Sequence, residues 1–285
     1  MKKLLYYVKP NNSSFIRNDE ELLSKHFKVL SIDLEQSKGN VYYLKNMIRM
    51  CYQMLRLGLQ NKFIAVCWFA DYHAAIMLII ARMTGNKSII LAGGQEAVCY
   101  YELQKGVYRN KFRSMFVKFA LRHVSLLIAN HKSLLYHENF YYNTQNPHID
   151  GIQHYVKGFN RPVEIIYNGI DPEKFKQNTA YRKVENRILT VGTMHHLGDF
   201  QNKGFDLFIE TAARNPQWDF VLIGMNKNYL SWLENTYKVS KIANLTIIAG
   251  FCEHEVLNRN YNEAKVFVQA SITEGMPNTL SEAML

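Results

Sequence analysis

Short apolar runs alternate with longer segments of helical period along the chain, and the rhythm breaks once. Residues 3–8, 28–32, 63–69, 88–91 and 125–129 read as strands. Residues 19–26, 41–57, 73–83, 111–122 and 131–141 read as helices. Such alternation predicts a mostly parallel sheet covered by helices on both faces. Residues 143–162 are polar and carry Pro147, Gly151, Gly158 and Pro162, so a surface loop is expected there, followed by a strand over 163–166. The rhythm then restarts, with strands at 187–191, 220–223, 245–249 and 265–269 and helices at 203–213, 229–237 and 253–264. The pattern gives an α/β chain of two doubly wound domains, 1–165 and 187–285, joined by a linker over 166–186.

Composition supports an ordinary globular chain. Of 285 residues, 48% are hydrophobic and 20% charged. Cys51, Cys67, Cys99 and Cys252 are scattered without Cys-x-x-Cys spacing, so neither a disulfide frame nor a zinc site is expected. The apolar run before Lys9 is too short for a signal core, and the long apolar stretch 63–81 is interrupted by Asp71 and His73. A cytoplasmic protein with no metal is the expectation.

Charge is unevenly placed and changes that picture. Residues 1–160 hold 21 Lys and Arg against 10 Asp and Glu, whereas residues 161–285 hold 13 against 14. No acid lies between Glu102 and Glu138. Within that stretch Phe112, Met115, Phe116 and Phe119 form a helical stripe with Arg109, Arg113, Lys118 and Arg122 at its margins. A core-facing helix with solvated charges fits this pattern. A face that docks on an anionic membrane surface fits it too, which would place the protein peripherally at the inner membrane face. No nucleic-acid-binding module is recognisable, and nucleic acid is not expected as a partner.

The densest chemistry lies at residues 270–285. Glu274 and Glu282 flank Gly275 and Pro277, directly after the strand at 265–269. Strand, tight turn and helix start are expected, with Pro277 at the first helical position. The amides of Asn278, Thr279 and Leu280 would then point outward from a positive helix end, an arrangement that suits a phosphate. Glu274 and Glu282 would accept hydrogen bonds from hydroxyls beside it. Taken alone, the Glu-x₇-Glu spacing is equally compatible with two solvated glutamates.

Other segments raise the functional reading. Glu164-Ile-Ile-Tyr-Asn-Gly-Ile-Asp-Pro-Glu-Lys-Phe175 resembles the interdomain signature of family-4 (group 1) glycosyltransferases. Leu189-Thr-Val-Gly192 followed by Lys203-Gly-Phe-Asp-Leu-Phe-Ile-Glu210 resembles the opening strand, loop and helix of their donor domain, and Phe220-Val-Leu-Ile-Gly224 and the 271–284 segment complete the series. Four motifs in family order cover 164–285, whereas 1–140 is similar only in rhythm. The resemblance implies a GT-B fold of two Rossmann-like domains facing a cleft. It implies retaining, metal-independent transfer of a sugar from a nucleotide-sugar donor, with no cofactor, to a glycan or lipid-linked acceptor in bacterial polysaccharide synthesis. Carried over, Lys203 would meet the diphosphate, Glu274 the transferring sugar and Glu282 the ribose. Gly192, Thr193 and Gly224 would line the donor site with Gly275, Asn278, Thr279 and Leu280. Such a site is physically coherent, because a departing diphosphate without a metal must be stabilised by cations and amides.

Departures from the family pattern bear on both sides of the site. Thr193 stands where many members place an arginine, and the loop from there to Lys203 is long and carries His195 and His196. The loop after the first strand has no glycine pair, and the loop after the fourth, Ala92-Gly-Gly-Gln-Glu96, has no histidine. Gly94, Gln95 and Glu96 are the acceptor-side candidates. His73 is a weaker one, with a buried, hydrogen-bonded histidine as the default.

The sequence stops within the last motif, so an incomplete second sheet is expected. A catalytically inactive fragment or binding subunit is therefore an alternative, and a sugar-nucleotide epimerase on the same fold is another.

Overall fold

The computed structural model describes residues 2–141 and 143–285. Two compact units divide between Asn168 and Gly169.

In the first unit the strands are β1 (Leu4–Lys9), β2 (Lys28–Asp33), β3 (Phe63–Trp68), β4 (Lys87–Ala92) and β5 (Leu126–Ala129). They are separated by α1 (Ser14–His26), α2 (Asn40–Gln60), α3 (Tyr72–Met83) and α4 (Lys111–His123). A short antiparallel hairpin, β6 (His137–Asn139) and β7 (His148–Asp150), follows, then α5 (Ile152–Tyr155) and β8 (Val163–Ile165). The main sheet runs β2-β1-β3-β4-β5-β8 and every pairing in it is parallel. Its central strands β1 and β3 are buried on both faces, which is why they read as continuous apolar runs. Leu5, Tyr6, Tyr7 and Val8 of β1 are all buried.

The helix expected over 131–141 is replaced by a turn and β6. His131 accepts the Ser133 amide on Nδ1 at 3.2 Å and starts a 3₁₀ turn over Lys132–Leu134. The chain then pairs with β7, where buried Asp150 takes the Tyr100 hydroxyl. The loop expected over 143–162 accordingly contains β7 and α5. The antiparallel pairing of His137, Glu138 and Asn139 with Asp150, Ile149 and His148 takes the place of the helical hydrogen bonds that the local apolar spacing suggests.

The second unit contains β9 (Arg187–Val191), α6 (Leu197–Asn202), α7 (Phe205–Arg214), β10 (Asp219–Met225), α8 (Leu230–Tyr237), β11 (Leu245–Ala249), α9 (His254–Glu263), β12 (Val266–Phe267) and α10 (Asn278–Ala283). Its sheet runs β11-β10-β9-β12, again all parallel. Residues 169–186, expected as a linker, are strapped to this unit. Lys176 and Asn178 donate their amides to the side chains of Asn258 and Asn262 on α9, at 3.1 and 2.7 Å. Phe175 is buried against the rings of His254 and Tyr261.

Two local findings set up the site. The long loop expected before Lys203 contains α6, started by the Asp199 carboxylate, which accepts the amides of His195 and His196 at 2.8 and 3.1 Å. Lys203 therefore closes α6, and α7 starts two residues later than expected, at Phe205, capped by Gly204 in the left-handed region at φ +68°. A Cβ on Gly204 would stand 2.5 Å from the Ala270 carbonyl, so only glycine lets α7 lie this close to the chain after β12.

Candidate active site

Strand order reverses at one place in the second sheet. The chain moves outward from β9 through β10 to β11, then returns to the far side of β9 as β12. In open α/β sheets such a switch point leaves a crevice at the carboxyl ends of the two strands. Residues after β9 and after β12 therefore meet there, and they include Gly192, Thr193 and the 268–275 segment.

The segment after β12 is fixed from both sides. Val268 donates its amide to Leu189 at 2.8 Å, and its carbonyl accepts the buried Thr190 hydroxyl at 2.9 Å. Further on, the Ile272 amide donates to the Asn202 carbonyl of α6 at 2.8 Å. These contacts carry Glu274 to Lys203, whose Nζ donates to Oε1 at 2.5 Å. Both side chains are about one-fifth exposed, at 22% and 21%. The pair is thus shielded from bulk water but open to a ligand.

Glycines make room around the cation. The chain at Gly192 runs beside Lys203, since a Cβ there would stand 3.4 Å from Lys203 Cδ and 3.2 Å from the Phe205 ring. Gly224, at φ +103°, sits where the β10–β11 register shifts, and a Cβ on it would stand 2.0 Å from the Gly192 carbonyl. Gly224 therefore shapes the Gly192 turn. Thr193 is exposed at the mouth of that turn.

The Pro277 end of α10 differs from expectation. Pro277 is the capping residue, and the helix proper has six residues from Asn278 to Ala283. The Leu280 amide donates to the Pro277 carbonyl at 3.2 Å, so it is already spent. A helix this short carries little macrodipole, so Lys203 is the main positive charge beside the crevice. Thr279 is held by its hydroxyl, which donates to Gln269 at 3.1 Å.

Glu282 is engaged separately. Tyr261 on α9 donates its hydroxyl to Oε2 at 2.8 Å. Burial raises the Glu282 carboxyl above its ordinary range, and the Tyr261 hydrogen bond offsets part of that rise.

On the first unit, the acceptor-side candidates gather near the carboxyl ends of β3 and β4, and two of them are corrected. Glu96 is fully buried. Its carboxylate accepts the Gly93 and Gly94 amides at 3.1 and 3.3 Å, and burial pushes its pKa up to about 7. It braces the loop from inside and cannot face an acceptor. His73 is buried too, with Nε2 3.0 Å from the Trp68 carbonyl, to which only a protonated Nε2 can donate. Burial lowers its pKa, consistent with a neutral interior ring. Gln95 is exposed and accepts the Gly106 amide at 3.0 Å, and Gly94 adopts φ +137° beside it. Those two remain at the surface.

Residues 185–285 match the family model described as glycosyl transferases group 1. That region belongs to the group 1 glycosyl transferases. Solved structures extend the likeness across both units. A lipopolysaccharide outer core galactosyltransferase, WaaB, aligns with 99% of this chain and 78% of its own at a TM-score of 0.60 and 13% identity. The catalytic domain of starch synthase IV from Arabidopsis thaliana, bound to ADP and acarbose, aligns with 100% and 81% at 0.60 and 13%. TarM of S. aureus, in complex with UDP among other ligands, aligns with 84% of this chain and 43% of its own at 0.56 and 12% identity. The fold is GT-B. No curated protein sequence matches the chain significantly.

Within this group 1 transferase domain, the Tyr261 hydroxyl on Glu282 and the Gln269 amide oxygen under Thr279 support motif residues from outside the motif. Neither is legible from spacing, because each partner lies on a neighbouring element. Among the described residues no group of three or more His, Cys, Asp or Glu could hold a metal ion.

Proposed function

We propose that the protein is a retaining glycosyltransferase that works without a metal or other cofactor. It moves a sugar from a nucleotide-sugar donor to a glycan or lipid-linked acceptor in bacterial polysaccharide synthesis. The observation that carries this reading is the Lys203–Glu274 pair at the switch point of the group 1 domain. The pair offers one cation and one carboxylate within a single crevice, which is what a sugar diphosphate requires.

Donor binding would convert the pair. The diphosphate takes the Lys203 ammonium, and Glu274 turns its freed oxygen to hydroxyls of the sugar. As the bond from the anomeric carbon to the diphosphate oxygen breaks, negative charge grows on the leaving group and Lys203 stabilises it. The acceptor oxygen forms the new bond on the same face. Its proton passes to the nearest base on that face, the departing diphosphate oxygen. Glu282, held by Tyr261, would grip the ribose, whose bonding does not change during the reaction. Gly192, Thr193, Gly275, Asn278 and Thr279 would line the donor, with Gln95 and Gly94 on the acceptor side. A cytoplasmic site at the inner membrane face would fit a lipid-linked acceptor.

The test is transfer from a panel of labelled nucleotide sugars to cell-envelope glycolipid, with and without a chelator. Product of the donor's anomeric configuration, formed equally with chelator present, is expected. Inverted product or chelator-sensitive transfer contradicts the mechanism, and labelled nucleotide sugar that is bound but epimerised contradicts the reaction.

A further inference from the structure

The outer face of one helical layer in the first unit is apolar and basic at once. Successive right-handed crossovers in the same direction place α2, α3 and α4 on one side of the sheet. In the fold α3 packs between α2 and α4. Each helix buries one stripe on the sheet; α2, for example, buries Met47, Met50 and Met54.

The opposite stripe of α2 should be polar and is not. Val41, Leu44, Ile48, Tyr52, Leu55 and Leu59 recur at steps of three and four, and all are exposed, from 39% at Leu55 to 85% at Leu59. The apolar surface continues across the layer through exposed Ile79 and Met83 on α3 and Phe112, Met115 and Phe119 on α4. Between α3 and α4 it deepens into a groove of about 360 Å³ lined by Ala75, Ile79, Met115, Phe116 and Phe119. Scattered exposed apolar residues are ordinary, but a continuous face of this kind marks an interaction site.

Charge says what covers it. None of the three helices contains an aspartate or glutamate. Lys45, Arg49 and Arg56 run beside the α2 stripe, Arg82 ends α3, and Lys111, Lys118 and Arg122 lie on α4. Arg113 is turned aside to the Asp71 carboxylate that caps α3, Arg122 also donates its Nε to the Lys157 carbonyl at 3.1 Å, and Lys118 lies over the Tyr108 ring, so the exposed cations of α2 lead. A second copy of the chain meeting this face through a two-fold axis would set cation against cation. Nucleic acid would leave the aliphatic stripe uncovered. A bilayer surface rich in anionic headgroups satisfies both halves, because basic side chains meet the headgroups while the stripe enters the acyl boundary. Among the described residues no helix is long and apolar enough to cross a membrane, so the contact would be from one side.

We propose that the α2–α3–α4 layer is a membrane-docking face for anionic lipid, with α2 as its principal inserting helix. This holds whether or not the second unit transfers a sugar.

Flotation of the full chain with phosphatidylcholine vesicles, with and without phosphatidylglycerol, tests it at about 0.1 M and about 1 M salt. Binding to the anionic vesicles alone is expected, weakened but not abolished by salt. Arg49→Gln with Arg56→Gln should lower partitioning about 25-fold, at roughly fivefold per basic residue. Ile48→Ser with Leu55→Ser should remove the salt-resistant part. All four side chains are exposed, so unchanged thermal melts are expected to accompany both losses. No flotation with anionic vesicles, or flotation indifferent to both double variants, overturns the proposal. A concentration-dependent dimer dissolved by Ile48→Ser, with no vesicle binding, overturns it in favour of a second copy.

Discussion

The ammonium of Lys203 donates to Oε1 of Glu274 at 2.5 Å, although the two residues stand 71 positions apart in sequence. Each therefore sets the charge environment of the other before any donor arrives. A variant at either position releases its partner as well as removing its own contact.

Glu274→Ala is expected to lower kcat by about 10- to 150-fold while leaving the KM for donor within a few-fold. That range corresponds to one charge-assisted hydrogen bond of about 1.5–3 kcal/mol made chiefly in the transition state. Steady-state kinetics decide the matter. A raised KM with unchanged kcat would mean that Glu274 only holds ground-state donor.

Glu282→Gln should show the complementary pattern, with donor KM raised and kcat nearly intact. Tyr261→Phe should give a weaker version, because it removes the hydroxyl that orients the Glu282 carboxylate at 2.8 Å. Kinetics on both variants, with a melt to check folding, test this pair. An effect of Tyr261→Phe larger than that of Glu282→Gln would show that Tyr261 acts on the donor by another route.

The alternation of apolar runs and helical periods is enough to place the strands of both main sheets and most helices, most plainly at the central strands β1, β3 and β10, which are buried on both faces. The motif glutamates and Lys203 were legible as candidates, but their pairing was not, since it depends on β12 returning beside β9. Glu96 misled for a related reason. In sequence it ends a polar Gly-Gly-Gln-Glu turn, whereas its burial comes from the fold around it, including Tyr108, whose hydroxyl donates to its carbonyl at 2.7 Å. The hairpin at β6 and β7 was hidden because its strands are three residues each and its stabilising partner, Tyr100, lies far upstream.

Gly224→Ala is expected to destabilise the protein by at least ~2 kcal/mol, from backbone strain at φ +103° together with the collision at the Gly192 carbonyl. Donor affinity should fall with it, because the Gly192 turn beside Lys203 must move. Denaturant melts and donor titration check both. A variant as stable as wild type would show that the turn relaxes freely.

Glu96 gives a pH signature to the first unit. Its folded pKa of about 7 lies above the ordinary glutamate value, so its contribution is fully present at acid pH and is lost as pH rises through 7. Relative to Glu96→Gln, wild type should lose stability between about pH 4.5 and 7.5, by an amount on the order of 3 kcal/mol. Thermal melts of both proteins across that range test the sign. A gap independent of pH would mean that Glu96 is charged throughout.

Calorimetric titration with a panel of nucleoside diphosphates tests the central claim most directly, on wild type and on Lys203→Ala. At least one nucleoside diphosphate should bind wild type, and the variant should bind it about 10- to 150-fold more weakly, the value of one charged hydrogen bond of about 1.5–3 kcal/mol. Equal affinity in the two proteins, or no binding by any member of the panel, would contradict a donor diphosphate site at Lys203.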